Sequence, residues 1–210
     1  MPRAGLDADV VTRAGAALAD EIGLANLSMN VIAKRLGVKA PSLYKHVDSL
    51  SSLIHRIAIL ATTELGDAIR DATQGRAGGD ALAAAAHALR SFVEGHPGRY
   101  AATLGARPGG PDDPLHAALS RSLDSFSAVL RGYRLDPTEE IHALRMLRSS
   151  LHGFASLEMS DGFQMDTVVG DSFAWMITFI DQGLRVGGES SDTGKGDRDA
   201  ARPVTGSSRG

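Results

Sequence analysis

The sequence has no cysteine among its 210 residues. Disulfides and thiolate metal sites are thereby excluded, and a reducing cytoplasm suits such a chain. No apolar run approaches the ~20 residues that a membrane-spanning helix needs. The N-terminus, M-P-R-A-G-L-D-A-D, lacks the apolar core of a secretion signal. There is no glycine-rich phosphate loop followed by lysine, and no G-x-S-x-G nucleophile turn. Two carboxylate-x-x-histidine pairs do occur, Asp113 with His116 and Glu139 with His142. A helical di-metal site needs two further carboxylates from facing helices. Asp113 sits in a proline-rich loop, and Glu139 falls in a first helical turn, where acids serve the helix dipole. The chain is therefore expected to hold no metal or cofactor and to catalyse nothing.

What is present is an ordinary globular balance, 43 % apolar and 22 % charged, in a length that suits one or two small domains. The net charge of −3 is unevenly spread. Residues 1–60 hold seven Lys/Arg against five Asp/Glu, a balance of +2 that leaves −5 for the rest. A basic head and an acidic remainder suit a chain that attracts phosphate locally.

The stretch Ser28 to Val47 reads as two short helices joined by a tight turn. Ser28 is a good N-cap. Ile32, Ala33 and Leu36 give the first helix an apolar face. Gly37 ends it, where a left-handed backbone suits glycine. Ala40, Pro41 and Ser42 open the second helix, and Leu43 and Val47 pack it back onto the first. Ala33 is small because the second helix crosses close by, and Leu43 plugs the space between. This is the pattern of a helix-turn-helix. Lys39, Ala40, Ser42, Tyr44, Lys45 and His46 are left outside, short or cationic as a surface entering a DNA groove should be. An ordinary helical hairpin with a glycine turn carries the same pattern.

The segment L-G-V-K-A-P-S-L-Y-K-H-V-D-S-L-S-S-L resembles the DNA-binding domain of the TetR family of bacterial transcription regulators. The resemblance covers residues 6 to about 60. It implies an all-α fold of about nine helices: a three-helix DNA-binding head, a larger helical ligand-binding body and a homodimer. It also implies that Tyr44 and His46 contact phosphates. Ser28, Lys39, Ala40, Ser42, Tyr44, Lys45 and His46 are the expected DNA-contacting residues. The expected boundaries are 1–47 for the head, 48–73 for a connecting helix, 74–187 for the body and 188–210 for a disordered tail.

A helix over 7–23, capped by Asp7 or Asp9, should brace the head, with Val10, Ala14, Ala17, Leu18 and Ile22 buried. Arg3 lies on an arm before it, either reaching DNA or solvated. Asp48 should cap the connecting helix, whose apolar stripe includes Leu50, Leu53, Ile57, Leu60 and Ile69. Helices are expected over 80–94, about 98–104 and about 115–131, with 105–114 a surface loop. Two last helices, 137–159 and 166–186, carry apolar residues at alternating steps of three and four, the rhythm of an interhelical seam. Leu147, Leu151, Phe154, Phe173, Ile177, Ile180 and Leu184 are the expected dimer interface; the alternative is that both seams face their own core. Small residues Ala143, Ser150 and Gly153 line a neighbouring face.

Residues 148–163 resemble the C-terminal domain of one TetR subgroup, named for a Trp-His-Gly signature. Here Leu151 stands at the Trp position, while His152 and Gly153 are kept. His87, Phe92, Phe126, Met146, His152 and Trp175 are candidate ligand-pocket residues, apolar walls with a few polar anchors. The tail beyond Gly188 has too few apolar side chains to offset its ordering entropy.

The combined expectation is a cytoplasmic, homodimeric repressor. It would bind a palindromic operator on double-stranded DNA, be released by an unknown small-molecule effector, and have no membrane partner. An activator or ligand-independent regulator of the same fold, or a helical metal-dependent enzyme, are the alternatives.

Overall fold

The computed structural model describes residues 5–200, with side chains to 189. Among the described residues there are nine α-helices and no strand. They are α1 (Ala8–Ile22), α2 (Met29–Leu36), α3 (Ala40–Leu43), α4 (Leu50–Thr73), α5 (Gly78–Gly95), α6 (Pro97–Leu104), α7 (Pro114–Leu130), α8 (Pro137–Met159) and α9 (Val169–Ala200). Short 3-10 turns lie at Leu24–Asn26 and Arg131–Tyr133.

The caps explain most of the boundaries. Asp7 Oδ1 accepts from the Val10 amide at 2.7 Å and starts α1. Ser49, not Asp48, caps α4, its hydroxyl accepting from the Ser52 amide at 3.0 Å. Both are good caps, and Ser49 wins because it is the extended residue just before the first helical turn. Asp136 and Glu139 form a capping box at the start of α8. The buried face of α1 is Val11, Thr12, Gly15, Ala16, Leu18 and Ala19, rotated from the expected Val10, Ala14, Ala17 and Ile22. In a helix this rich in alanine the apolar pattern fits more than one rotation.

The chain divides into two compact units, and the division differs from the expected one. The first joins the residues up to Gln74 with Ala84–Phe126; the second joins Gly75–Ala83 with the chain from Ser127. In the first unit, Val11, Ile32, Leu43, Leu53 and Ile57 form a core that also takes in Ala102 from α6. The loop after α6 is tied back by Asp113. Its carboxylate accepts from the amides of Gly109 at 2.7 Å and Leu115 at 2.9 Å, and meets His55 Nε2 on α4 at 2.8 Å.

In the second unit, α8 and α9 form a hairpin. Leu147, Leu151, Phe154, Phe173, Ile177, Ile180 and Leu184, expected at a dimer interface, are all buried within this chain. Phe154 packs on Phe173 with ring centroids 4.9 Å apart. The three-four rhythm thus records the α8–α9 contact itself, because one pair of helices suffices to cover it. Asp181 on α9 accepts from the Tyr133 hydroxyl at 2.6 Å and from Arg185 Nε at 2.8 Å. The Arg185 hydrogen bond holds the Asp181 carboxyl below its ordinary value, and burial pushes the Tyr133 phenol up.

The backbone of α9 continues past Gly188 to Ala200, where disorder is expected from composition. Once a helix is nucleated by a buried stripe, each added residue gains a hydrogen bond without a new nucleation cost. Residues 201–210 of that tail, and Arg3 at the other end, lie outside the described residues.

The Asp113 tie has a pH signature. Its carboxyl is held at about 2, against an ordinary 3.8, chiefly by the Gly109 and Leu115 amides. A depressed carboxyl stabilises the fold above its ordinary value, and that contribution is lost as pH falls toward about 2. The stability gap between the native chain and Asp113→Asn should therefore shrink between about pH 4 and pH 2 in urea titrations. A gap constant over that window would contradict the tie.

Candidate DNA-binding interface

The helix-turn-helix forms as its residues require. Ser28 Oγ accepts from the Val31 amide at 3.3 Å at the start of α2. Gly37 adopts φ +67°, the left-handed conformation that a β-carbon disfavours. The Val38 amide then donates to the Ala33 carbonyl at 3.0 Å and closes the helix end. The second helix is shorter than its sequence suggests. α3 is four residues, Ala40–Leu43, and its path continues as a turn in which the His46 and Val47 amides donate to the Leu43 carbonyl. Leu43 is fully buried between the helices and Val47 nearly so.

Six of the seven expected contact residues come together on and around α3. Lys39, Tyr44 and Lys45 are exposed; Ala40, Ser42 and His46 are half-buried. Ser28, the seventh, is half-buried at the start of α2, where its hydroxyl oxygen already serves as a cap. Lys34, Lys39 and Lys45 have no ion-pair partner among the described residues. Arg35 differs: its guanidinium meets Glu21 of α1 through Nη1 at 3.0 Å and again through Nη2. That hydrogen bonding lowers the Glu21 carboxyl and raises the Arg35 guanidinium. The pair spans α1 and α2 at an exposed site and so adds little stability, but it commits one of the head's cations. The exposed apolar surface here is small, apart from Tyr44, 52 % exposed.

The head is braced by elements that the sequence does not assign to it. Arg56 on α4 donates from Nε to Thr12 Oγ1 at 3.0 Å and from Nη2 to Asp9 at 2.8 Å, fixing α4 on α1. α6 docks on the end of α1. His96 stands at the N-cap of α6 and makes no side-chain cap. Asp20 of α1 supplies it instead, Oδ1 accepting from the Arg99 amide at 2.8 Å. Its carboxylate thus lies at the positive end of the α6 dipole. Asp20 Oδ2 lies 3.0 Å from Arg99 Nε, an ion pair without the alignment of a hydrogen bond, and 3.4 Å from His96 Nδ1. Arg99 Nη1 donates on to Glu64 of α4 at 3.1 Å. Gly98 makes the approach possible, since a Cβ there would lie 2.0 Å from the Ala19 backbone. The one readable signal was Pro97-Gly98 opening a helix; its partner lies 79 residues upstream.

Three of the expected pocket residues fall in each compact unit. His87, Phe92 and Phe126 belong to the first unit; Met146, His152 and Trp175 belong to the second. His87 is exposed, Phe92 is buried against His96, and Phe126 is half-buried. Met146 lines an apolar cavity of about 390 Å³ with Ala143, Phe179 and Leu184. His152 lies 3.3 Å from Ser156 Oγ, one turn along α8. Trp175 is 68 % exposed and stacks on Phe179 at 5.5 Å. Three of the four residues in the carboxylate-histidine pairs have structural partners: Asp113 holds its loop, His116 meets the Gly110 carbonyl, and Glu139 completes a capping box.

Comparison with known proteins assigns the class. Residues 11–57 match the family described as bacterial regulatory proteins, tetR family, and residues 82–180 match the tetracyclin repressor-like C-terminal domain. The chain belongs to the TetR family of transcriptional regulators and is a DNA-binding regulator, not an enzyme. It is 36 % identical to the uncharacterized HTH-type transcriptional regulator Rv0681 of Mycobacterium tuberculosis, over 82 % of this chain and 80 % of that one. Two solved structures share the fold. One is a TetR variant from Acinetobacter baumannii AYE in complex with minocycline, with a TM-score of 0.65 and 21 % identity over 86 % of this chain and 97 % of that one. The other is BioQ of Mycobacterium smegmatis with its double-stranded DNA operator, with a TM-score of 0.64 and 18 % identity over 87 % of this chain and 99 % of that one. Among the described residues no helix is long and apolar enough to cross a membrane.

The α6 docking is testable by stability. Gly98→Ala should lower the free energy of unfolding by about 1–3 kcal/mol, the cost of overpacking against backbone that has no room to yield. Urea denaturation reads it; an unchanged midpoint would mean that α6 does not close on α1.

Proposed function

We propose that the chain is a homodimeric repressor, released from a palindromic operator by a small-molecule effector, and that it acts in the cytoplasm. The reading rests first on the helix-turn-helix head, where lysines without ion-pair partners among the described residues flank the short α3. Lys39, Ser42 and Lys45 read base edges, while Tyr44 and His46 hold phosphates, as the family resemblance implies. The amides of Leu50 and Ser51 at the start of α4 follow directly in the chain and suit a further phosphate.

The observation that carries the dimer is the outer face of the α8–α9 hairpin. Trp175, Phe179 and Val186 are each about two-thirds exposed and lie at steps of four and seven along α9. On α8, Met146 and Leu157 are exposed at the same helical phase. Gly153 lies between them, with open space where a Cβ would stand. Large aromatic side chains left in water at this density mark an interaction surface. A second copy of the same face covers it about a two-fold axis. The dimer face is thus the far side of the hairpin from the buried seam, and Ala143 and Gly153, read from sequence as small residues on a neighbouring face, lie toward it.

Two heads joined in this way match two half-sites ~34 Å apart, one turn of DNA. Effector release follows if the effector binds better to a state in which the heads fit the operator poorly. The complexes of related folds with operator and with minocycline support DNA and small-molecule binding as the two activities to look for.

Selection of bound sequences from random DNA should return a palindrome. A single asymmetric site would contradict the dimeric reading. Phe179→Glu should give a folded monomer by light scattering, because the carboxylate replaces an exposed ring and costs the monomer little. Ile180→Asp should instead unfold the hairpin, since Ile180 belongs to the internal core. An intact dimer of Phe179→Glu would remove this face from the interface.

A further inference from the structure

We propose that the groove between the Leu24–Asn26 turn, α4 and the end of α6 is a binding site for a small carboxylate with a short apolar body. The inference rests on the reading that this regulator answers to a small-molecule effector, and it names the site and the class.

The groove lies wholly within the first unit and has a volume of about 420 Å³. That falls in the range of roughly 300–1,000 Å³ typical of small-molecule sites. It exists because the residues around it are small. Ala58 and Ala102 form a buried floor, and Ala101 and Gly105 leave one wall unfilled. Leu24 and Ile54 supply the opposite, aliphatic wall.

The polar groups point to an anion. Arg107 stands on the rim and has no ion-pair partner among the described residues. The Ser51 hydroxyl and the His55 ring complete the polar lining. No carboxylate lines this groove. Three other cavities of 230–390 Å³ each have one in the wall: Glu189, Asp9 and Glu139 respectively. Asp113, the acid beside His55, is already occupied by the Gly109 and Leu115 amides and by His55 itself. Arg107 is an exposed side chain at the rim, and an arginine beside an apolar slot can meet a planar carboxylate through two parallel N–H···O bonds.

The position links occupancy to DNA binding. One wall comes from the head and the other from α6, whose far end docks on α1 through Gly98 and Arg99. A ligand seated between them bears on both, so the spacing of α6 from α4 and the affinity for ligand are coupled.

The test uses benzoate and hexanoate, with benzamide and hexanamide as uncharged matches, titrated into the full chain and followed by methyl NMR and calorimetry. Both carboxylates should bind, shift the methyl signals of Leu24, Ile54, Ala58 and Ala101, and bind more tightly than the amides. Arg107→Gln should weaken them roughly tenfold, the loss of a charge-assisted pair. Gly105→Leu should abolish binding while leaving the melting temperature intact. Gly105 has φ −101°, and nothing lies within 4 Å of a Cβ built there. Failure of both carboxylates to bind at roughly 10 mM, where millimolar affinities are visible, would overturn the proposal. So would methyl shifts confined to other residues, or binding indifferent to both variants. Operator affinity, measured on the same samples with the selected DNA, separates the two claims. Loss of operator binding by the ligand-free chain counts against the regulator reading alone. Intact operator binding without carboxylate binding counts against the groove alone.

Discussion

The docking of α6 on the end of α1 is the constraint on which the DNA-binding unit depends. Two short helices and a brace bury too little to be rigid by themselves. Here α1 and α4 are held by Arg56, and α6 closes on the far end of α1, placing Ala102 in the same core as Leu43 and Ile57. Every contact in that joint is exacting. Gly98 admits no side chain, and the Asp20 carboxylate does two jobs, capping α6 and pairing with Arg99. Arg99 in turn reaches Glu64, so α1, α4 and α6 share one polar cluster on the edge of an apolar core. A head built this way includes residues from far along the chain, and its geometry answers to whatever moves α6.

Local chemistry was legible in the sequence; partners distant in the chain were not. Ser28, Gly37 and Leu43 announce the helix-turn-helix because caps, left-handed turns and plug residues act over a few positions, and the family resemblance extends the same segment. The start of α8 at 137 matches the expectation, with Glu139 in its first turn, and α6 begins at Pro97, one residue before the expected 98. The role of α6 was hidden, because Gly95-His96-Pro97-Gly98 reads as a break between helices until Asp20 is beside it. The seam residues misled for a related reason. Leu147, Leu151, Ile177 and Ile180 keep the rhythm of a helical contact, but the rhythm does not say whether the other helix belongs to the same chain. The outward-facing Trp175 and Phe179 carry the better signal, since an aromatic left off the internal stripe of a helix has no internal partner to cover it. The expected pocket list was drawn from aromatic and histidine positions, which mark core as readily as cavity walls, whereas the groove beside α6 is defined by what is small, Ala58, Ala101 and Gly105 among them.

The proposed functions fall on surfaces of different character. The α3 surface is short, polar and cationic, as contact with phosphate and base edges requires. The α8–α9 face is aromatic and apolar, as the proposed association with a second copy requires. The groove beside α6 is mixed, with an aliphatic wall and an unpaired guanidinium, and it touches the head directly. A regulator needs such surfaces to be energetically coupled, and within the first unit the Asp20–Arg99–Glu64 cluster joins α1, α4 and α6.

That coupling is read most directly by hydrogen exchange of the backbone amides, with and without operator DNA. The account predicts that operator binding slows exchange in residues 28–50, the proposed contact segment, and also in α6 at Pro97–Leu104, which lies outside it. Protection confined to 28–50, with α6 exchanging at the same rate in both states, would contradict the claim that α6 is an energetic part of the DNA-binding head.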